Sequence, residues 1–129
     1  MPKKIKEETK KIPSIELYGH NTVFDNLKNL YKKKSFPKVL MLTGEKGIGK
    51  FTLTFHLINY FLTDETEFSY NINQRIINKK STVFNELISG SSPNYTYISN
   101  ENSSKANIEL IRELKKSFIN TSLNDKPRF

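Results

Sequence analysis

Apolar and polar positions alternate with different periods along this chain, and the period changes at recognisable breaks. In "NTVFDNLKNLYKKK", from Asn21 to Lys34, Val23, Leu27 and Leu30 fall at i, i+4 and i+7. That spacing predicts an amphipathic helix, with Asn21 as its cap. Pro37 ends it, because the residue before a proline is driven out of helical geometry. "KVLMLT", residues 38–43, is then apolar without alternation between Pro37 and Gly44. A continuous run of that length is the pattern of a strand buried on both faces of a parallel sheet. Beyond the glycine-rich stretch that follows, "KFTLTFHLINYFL" returns to helical spacing at Leu53, Leu57, Tyr60 and Phe61.

The second half is read the same way. Residues 63–80 are polar and Asn-rich without clear periodicity, which predicts a long connection. "STVFNELISG" predicts a short helix capped by Ser81 and terminated by Gly90; Glu86 stands too late to complete a capping box. "NYTYIS", residues 94–99, is β-prone, with Tyr95, Tyr97 and Ser99 alternating against Thr96 and Ile98. "IELIRELKKSFI" is an amphipathic helix with Ile111, Leu114 and Phe118 on one face and Glu109, Arg112, Glu113 and Lys116 on the other. "NDKPRF" reads as a turn entering a new strand. Residues 1–13 form a charged, flexible tail, and 14–129 form the folded unit. Strand-like and helical runs in alternation predict an α/β fold of three layers around a parallel sheet, with "KVLMLT" central in it.

Composition narrows the function classes. With 129 residues the chain builds one core. It has no cysteine, which excludes disulfides, thiolate zinc sites and cysteine nucleophiles. No apolar run approaches the ~20 residues that span a bilayer, and "MPKKIKEETKK" lacks the apolar core of a signal peptide. A cytoplasmic protein without membrane contact is the expectation. The net charge of +8 suits a nucleic-acid surface but also a generally lysine-rich one. Only Arg75, Arg112 and Arg128 of the 21 basic residues are arginine, which speaks against reading of base edges.

The chemistry sits at "GEKGIGKFT": Gly44, Glu45, Lys46, Gly47, Ile48, Gly49, Lys50, Phe51 and Thr52. Strand, glycine loop and helix are the setting of a phosphate loop, whose backbone N–H groups surround phosphates while the lysine reaches the β- and γ-phosphates. The motif requires Ser or Thr after that lysine to bind Mg²⁺, and Phe51 has no oxygen to offer. Thr52 supplies a hydroxyl one position late, turned by about 100° around the helix. Hydrolysis also requires a metal-holding carboxylate at the end of a second strand. The apolar run ending in Asp64 is the tail of the loop's own helix, so it cannot serve. Nucleotide binding is compatible with these residues; catalysis by this chain is not expected, and no metal site is assigned. His20 and His56 each lack a partner at ligand spacing.

The ordered set from Ile15 to Phe129 resembles the opening of bacterial clamp-loader AAA+ subunits. The pattern is "GH" before a helix, a break, an apolar strand and the loop, as in "IELYGHNTVFDNLKNLYKKKSFPKVLMLTGEKGIGKFTL". "GIGKFTL" without a metal-binding hydroxyl, and "VFNELISGSSPNYTYIS", are similar to the delta prime type of DNA polymerase III. "SPN" replaces that type's "HPD", and the zinc-binding cysteines of many relatives are absent. The resemblance implies an AAA+ P-loop fold, incomplete at the C-terminus because the Walker B, arginine-finger, lid and collar regions would lie beyond Phe129. It also implies a non-hydrolysing stationary subunit that helps load the sliding clamp during DNA replication. Its partners would be the gamma/tau and delta subunits, with clamp and primed DNA reached indirectly, in an assembly that has nucleotidyltransferase activity. No cofactor is required; ATP or ADP would bind weakly and without Mg²⁺. An active gamma/tau-like ATPase, a P-loop nucleotide kinase and a basic DNA-binding module remain as alternatives.

Overall fold

The computed structural model describes residues 12–98, 107–119 and 124–129. Of the expected tail over residues 1–13, residues 1–11 lie outside the described residues. Four helices occur among those described: α1 (Asn21–Lys32), α2 (Lys50–Leu62), α3 (Thr82–Ser89) and α4 (Asn107–Ile119).

Helix α2 is the centre of the core. Leu53, Phe55, His56, Leu57, Ile58, Asn59, Phe61 and Leu62 are all buried, so it is covered almost all round and not along one stripe. The expected face of Leu53, Leu57, Tyr60 and Phe61 is only part of what packs. Helix α1 lies against it through Phe24 and Leu27, and Tyr31 stacks on Phe61 with ring centroids 3.9 Å apart. Val23 and Leu30, expected on the packed face, are exposed. The packed stripe instead runs Phe24, Leu27 and Tyr31, because the large rings reach aromatic neighbours on α2 that Val23 and Leu30 do not. Asn21 is not the cap: His20 holds that position with φ 57° and ψ 23°, and its side chain makes no cap hydrogen bond.

Helix α3 forms as its sequence predicts. Ser81 Oγ accepts from the Phe84 N–H at 3.4 Å, and Gly90 closes the helix in the left-handed region at φ 76°. Phe84 meets Phe55 edge-on and so joins the core. The connection over 63–80 is not helical. It folds back so that Leu17 N–H donates to Arg75 C=O and Ile77 N–H to Ile15 C=O, an antiparallel bridge at Glu16 and Ile76. Tyr70 and Ile77 are buried by this closure.

His56 is fully buried and has both ring nitrogens satisfied. Nε2 donates to the Ser14 carbonyl at 2.8 Å, which leaves Nδ1 to accept from the Tyr70 hydroxyl at 2.8 Å. Burial lowers its pKa, opposed by the Ser14 hydrogen bond, and burial raises that of Tyr70. This histidine is a structural tie between α2, the N-terminal segment and the connection.

The expected parallel sheet is absent among the described residues. "KVLMLT" forms no strand: Lys38 and Val39 lie in a bend, the run makes no backbone hydrogen bond among the described residues, and Val39 and Met41 are 87% and 81% exposed. An apolar run becomes a central strand only when segments flank it on both sides, and no described segment does so. Leu42 alone of this run packs on the core, partly buried. One parallel pairing is nevertheless present elsewhere. Phe129 N–H donates to Asn94 C=O at 2.7 Å and Thr96 N–H to Phe129 C=O at 3.0 Å, the hydrogen-bond pattern of a parallel pair at Tyr95 and Phe129. Asn94 secures it: its amide N–H₂ donates to Asn124 Oδ1 and to the Lys126 and Pro127 carbonyls, and the Asn124 amide donates back to Asn94 Oδ1. Helix α4 forms as predicted, but Ile111 and Phe118 on its apolar face are exposed.

Candidate phosphate-loop site

The loop from Gly44 to Gly49 connects the apolar run over 38–43 to α2. Gly47 and Gly49 take φ of 87° and 97°, the left-handed region that other L-residues adopt only under strain. Gly49 is the cap of α2, with no side-chain cap bond and no acidic residue in the first turn. The first N–H groups of a helix have no intrahelical partner, so this end has the free donors and the sign of dipole that suit an anion.

Lys50 curls back over the loop. Its Nζ donates to the Gly44 carbonyl at 2.6 Å and to the Glu45 carbonyl at 2.8 Å, leaving one of three ammonium protons for another acceptor. Ile48 N–H donates to the Glu45 carbonyl at 3.3 Å and tightens the turn, while Glu45, Lys46 and Ile48 stand exposed. Lys46 places a second positive charge in the same loop.

Phe51 and Thr52 do not join this group. The Phe51 ring packs partly buried against the core, 6.1 Å from the Phe55 ring and 5.2 Å from that of Tyr97. Thr52 is half-buried with no side-chain hydrogen bond to the loop. The loop residues Gly44, Gly47, Gly49 and Lys50 are thus brought into one turn, and the position that would hold a metal-binding hydroxyl carries a core aromatic.

One contact was not legible in the sequence. His20 Nε2 lies 2.7 Å from the Ile48 carbonyl, joining the start of α1 to the loop. A histidine after glycine is a visible signal for left-handed backbone, but a partner 28 residues away is not. Two of the three arginines are also engaged internally. Arg75 pairs with Asp25 and covers the Phe24 ring, and Arg128 donates to the Ser117 carbonyl.

A family model described as DNA polymerase III, delta subunit, matches residues 19–129, from the glycine before His20 through the whole loop. The chain belongs to that family. Membership points to a clamp-loader subunit role in DNA polymerase III, hence in DNA replication, and to association with other subunits of that assembly. No curated protein and no solved structure matches the chain. Among the described residues no helix of this delta-family chain is long and apolar enough to cross a membrane.

Proposed function

We propose that this chain is a non-hydrolysing, stationary clamp-loader subunit of the delta prime type. It helps load the sliding clamp through contacts with gamma/tau and delta subunits, not through turnover at its own loop. Clamp and primed DNA are met through the assembly, in the cytoplasm. The observation that carries this reading is Phe51, whose ring packs toward Phe55 and Tyr97 at the position where a hydrolysing site holds Mg²⁺.

The residues fit a nucleotide's phosphates and do not fit its metal. Gly47, Gly49, the uncapped first turn of α2 and the remaining Lys50 proton form a cradle of donors for phosphate oxygens. A phenyl ring has no lone pair for Mg²⁺, and Thr52 begins the next position around the helix. ATP or ADP is therefore held weakly, by backbone and lysine alone.

Titrating a fluorescent ADP or ATP analogue with Mg²⁺ and with chelator tests this. Affinity should be nearly the same in both, and a loss of about tenfold or more on chelation overturns the reading, because a metal-assembled site depends on its ion. Phe51→Ser should not produce hydrolysis. Binding of gamma/tau and delta subunits by the chain should survive Lys50→Ala.

A further inference from the structure

We propose that His20 is a positioning residue of the phosphate loop, so that α1 sets the direction of a loop donor that the glycine sequence leaves free. The proposal rests on the nucleotide-binding reading above and assigns the loop a support outside its own motif.

A carbonyl oxygen only accepts, so the 2.7 Å contact with Ile48 C=O places the proton on His20 Nε2. Among the described residues no other group donates to that carbonyl. The peptide joining Ile48 to Gly49 is trans and planar, with its C=O and N–H pointing in opposite directions. Holding the carbonyl toward His20 therefore turns the Gly49 N–H the other way. That N–H is one of the donors a phosphate loop offers. Without such a hold the peptide rotates readily, because its rotation turns φ of Gly49, and a glycine accepts either sign of φ.

The structure of the His20 backbone fits a residue held for its side chain. It sits at φ 57°, directly after Gly19 at φ 72°, a conformation that L-residues avoid. Its carbonyl starts α1 by accepting from Phe24 N–H at 2.9 Å, yet its side chain makes no bond to its own helix. The ring instead lies against Gly49, where an added Cβ would stand 3.4 Å from Nε2. Backbone and side chain thus serve two elements at once.

The test uses the full chain with His20→Ala, His20→Gln and His20→Asn. The amide nitrogen of glutamine is as many bonds from the backbone as Nε2, so Gln can restore the donor. Asparagine tolerates the left-handed backbone but is too short to reach, so it separates backbone strain from the hydrogen bond. ¹⁵N spectra of the wild type should show Nε2 protonated, and the Gly49 amide resonance should shift in the Ala and Asn variants and return with Gln. Affinity for fluorescent ADP should fall about five- to tenfold in Ala and Asn, the effect of one lost hydrogen bond, and recover to within about twofold in Gln. An unmoved Gly49 resonance in His20→Ala, or no recovery with Gln, overturns the proposal. If the wild type binds no nucleotide, the binding reading fails, while the tautomer and the Gly49 resonance still decide whether His20 positions the loop.

Discussion

Phe24 and Val39 are both apolar and stand in neighbouring elements, yet their surroundings are opposite. Phe24 is fully buried, 6.0 Å from the Tyr70 ring and 6.4 Å from that of Tyr60, with the Arg75 guanidinium 5.6 Å above it. Val39 is in an irregular run with no backbone partner among the described residues and is almost wholly exposed. The difference follows from where each element finds its hydrogen bonds. A helix satisfies its backbone internally and needs a partner only for one face, which α1, α2 and α3 supply to one another. An extended run needs backbone partners from distant parts of the chain before its side chains can be covered. Helices α1 to α3, built from local bonds, close on one another, and the Glu16–Ile76 bridge and the Tyr95–Phe129 pair have found their distant partners, whereas the run over 38–43 has found none among the described residues and stays open. An open apolar run with unpaired N–H and C=O groups is also the surface on which another strand is added.

This contrast can be broken most forcefully at Phe24. Phe24→Ala should cost about 3–5 kcal/mol, the range for emptying a buried aromatic site, which is a large part of the stability of a single small domain. Urea unfolding measures it, and a cost below about 1 kcal/mol would show that the closed half is loosely packed.

The contrast is sharpened by acid. Burial lowers the pKa of His56, so the folded protein binds its proton less readily than the unfolded chain. Stability is then complete above the ordinary histidine value of about 6.5 and declines as pH falls through that value, with a slope approaching about 1.4 kcal/mol per pH unit. Unfolding free energies between pH 5 and 8 should show this decline, and His56→Gln should flatten it. An equal slope in the variant would place the acid sensitivity elsewhere.

The smallest effect is expected in the open run. Val39→Ser together with Met41→Ser should change stability by no more than about 0.5 kcal/mol, as for exposed positions, and should reduce self-association measured by light scattering. A loss of several kcal/mol would mean that the run is covered in solution, and the contrast between the two halves would disappear.

Residue chemistry that acts locally was legible beforehand. Ser81 and Gly90 bound α3 as their types dictate, and the long apolar periodicity of α2 and α4 marked both helices. Phe51 was recognisable as a residue that prefers a core to a metal. Apart from the cap of α1, which is His20 and not Asn21, the misreadings are questions of partner. Val23 was as good a choice as Phe24 for the packed face of α1 until the rings of Tyr60 and Tyr70 were in place. "KVLMLT" has the apolar content of a central strand, but a strand's neighbours are not written in its own residues. His20 and His56 lacked partners at short spacing because those partners come from Ile48, Tyr70 and Ser14 through the fold. The loop could be read as a motif from its residues; the contact between His20 and the Ile48 carbonyl could not.

Helix α2 has one further consequence. It starts at Lys50 inside the phosphate loop and ends at Leu62, whose carbonyl accepts from Lys126 beside the Lys126–Asp64 ion pair. Between these ends its side chains are gripped on nearly every side, in a medium packed as densely as a crystal. The mouth of the site and the keel of the fold are one body. An anion that binds at the first turn adds to the stability of the native chain by an amount that grows with its concentration relative to its Kd, because the unfolded chain has no such turn to offer. On the proposed reading, a loop without turnover would still be thermodynamically active, its occupancy a weight on the folding equilibrium of the chain.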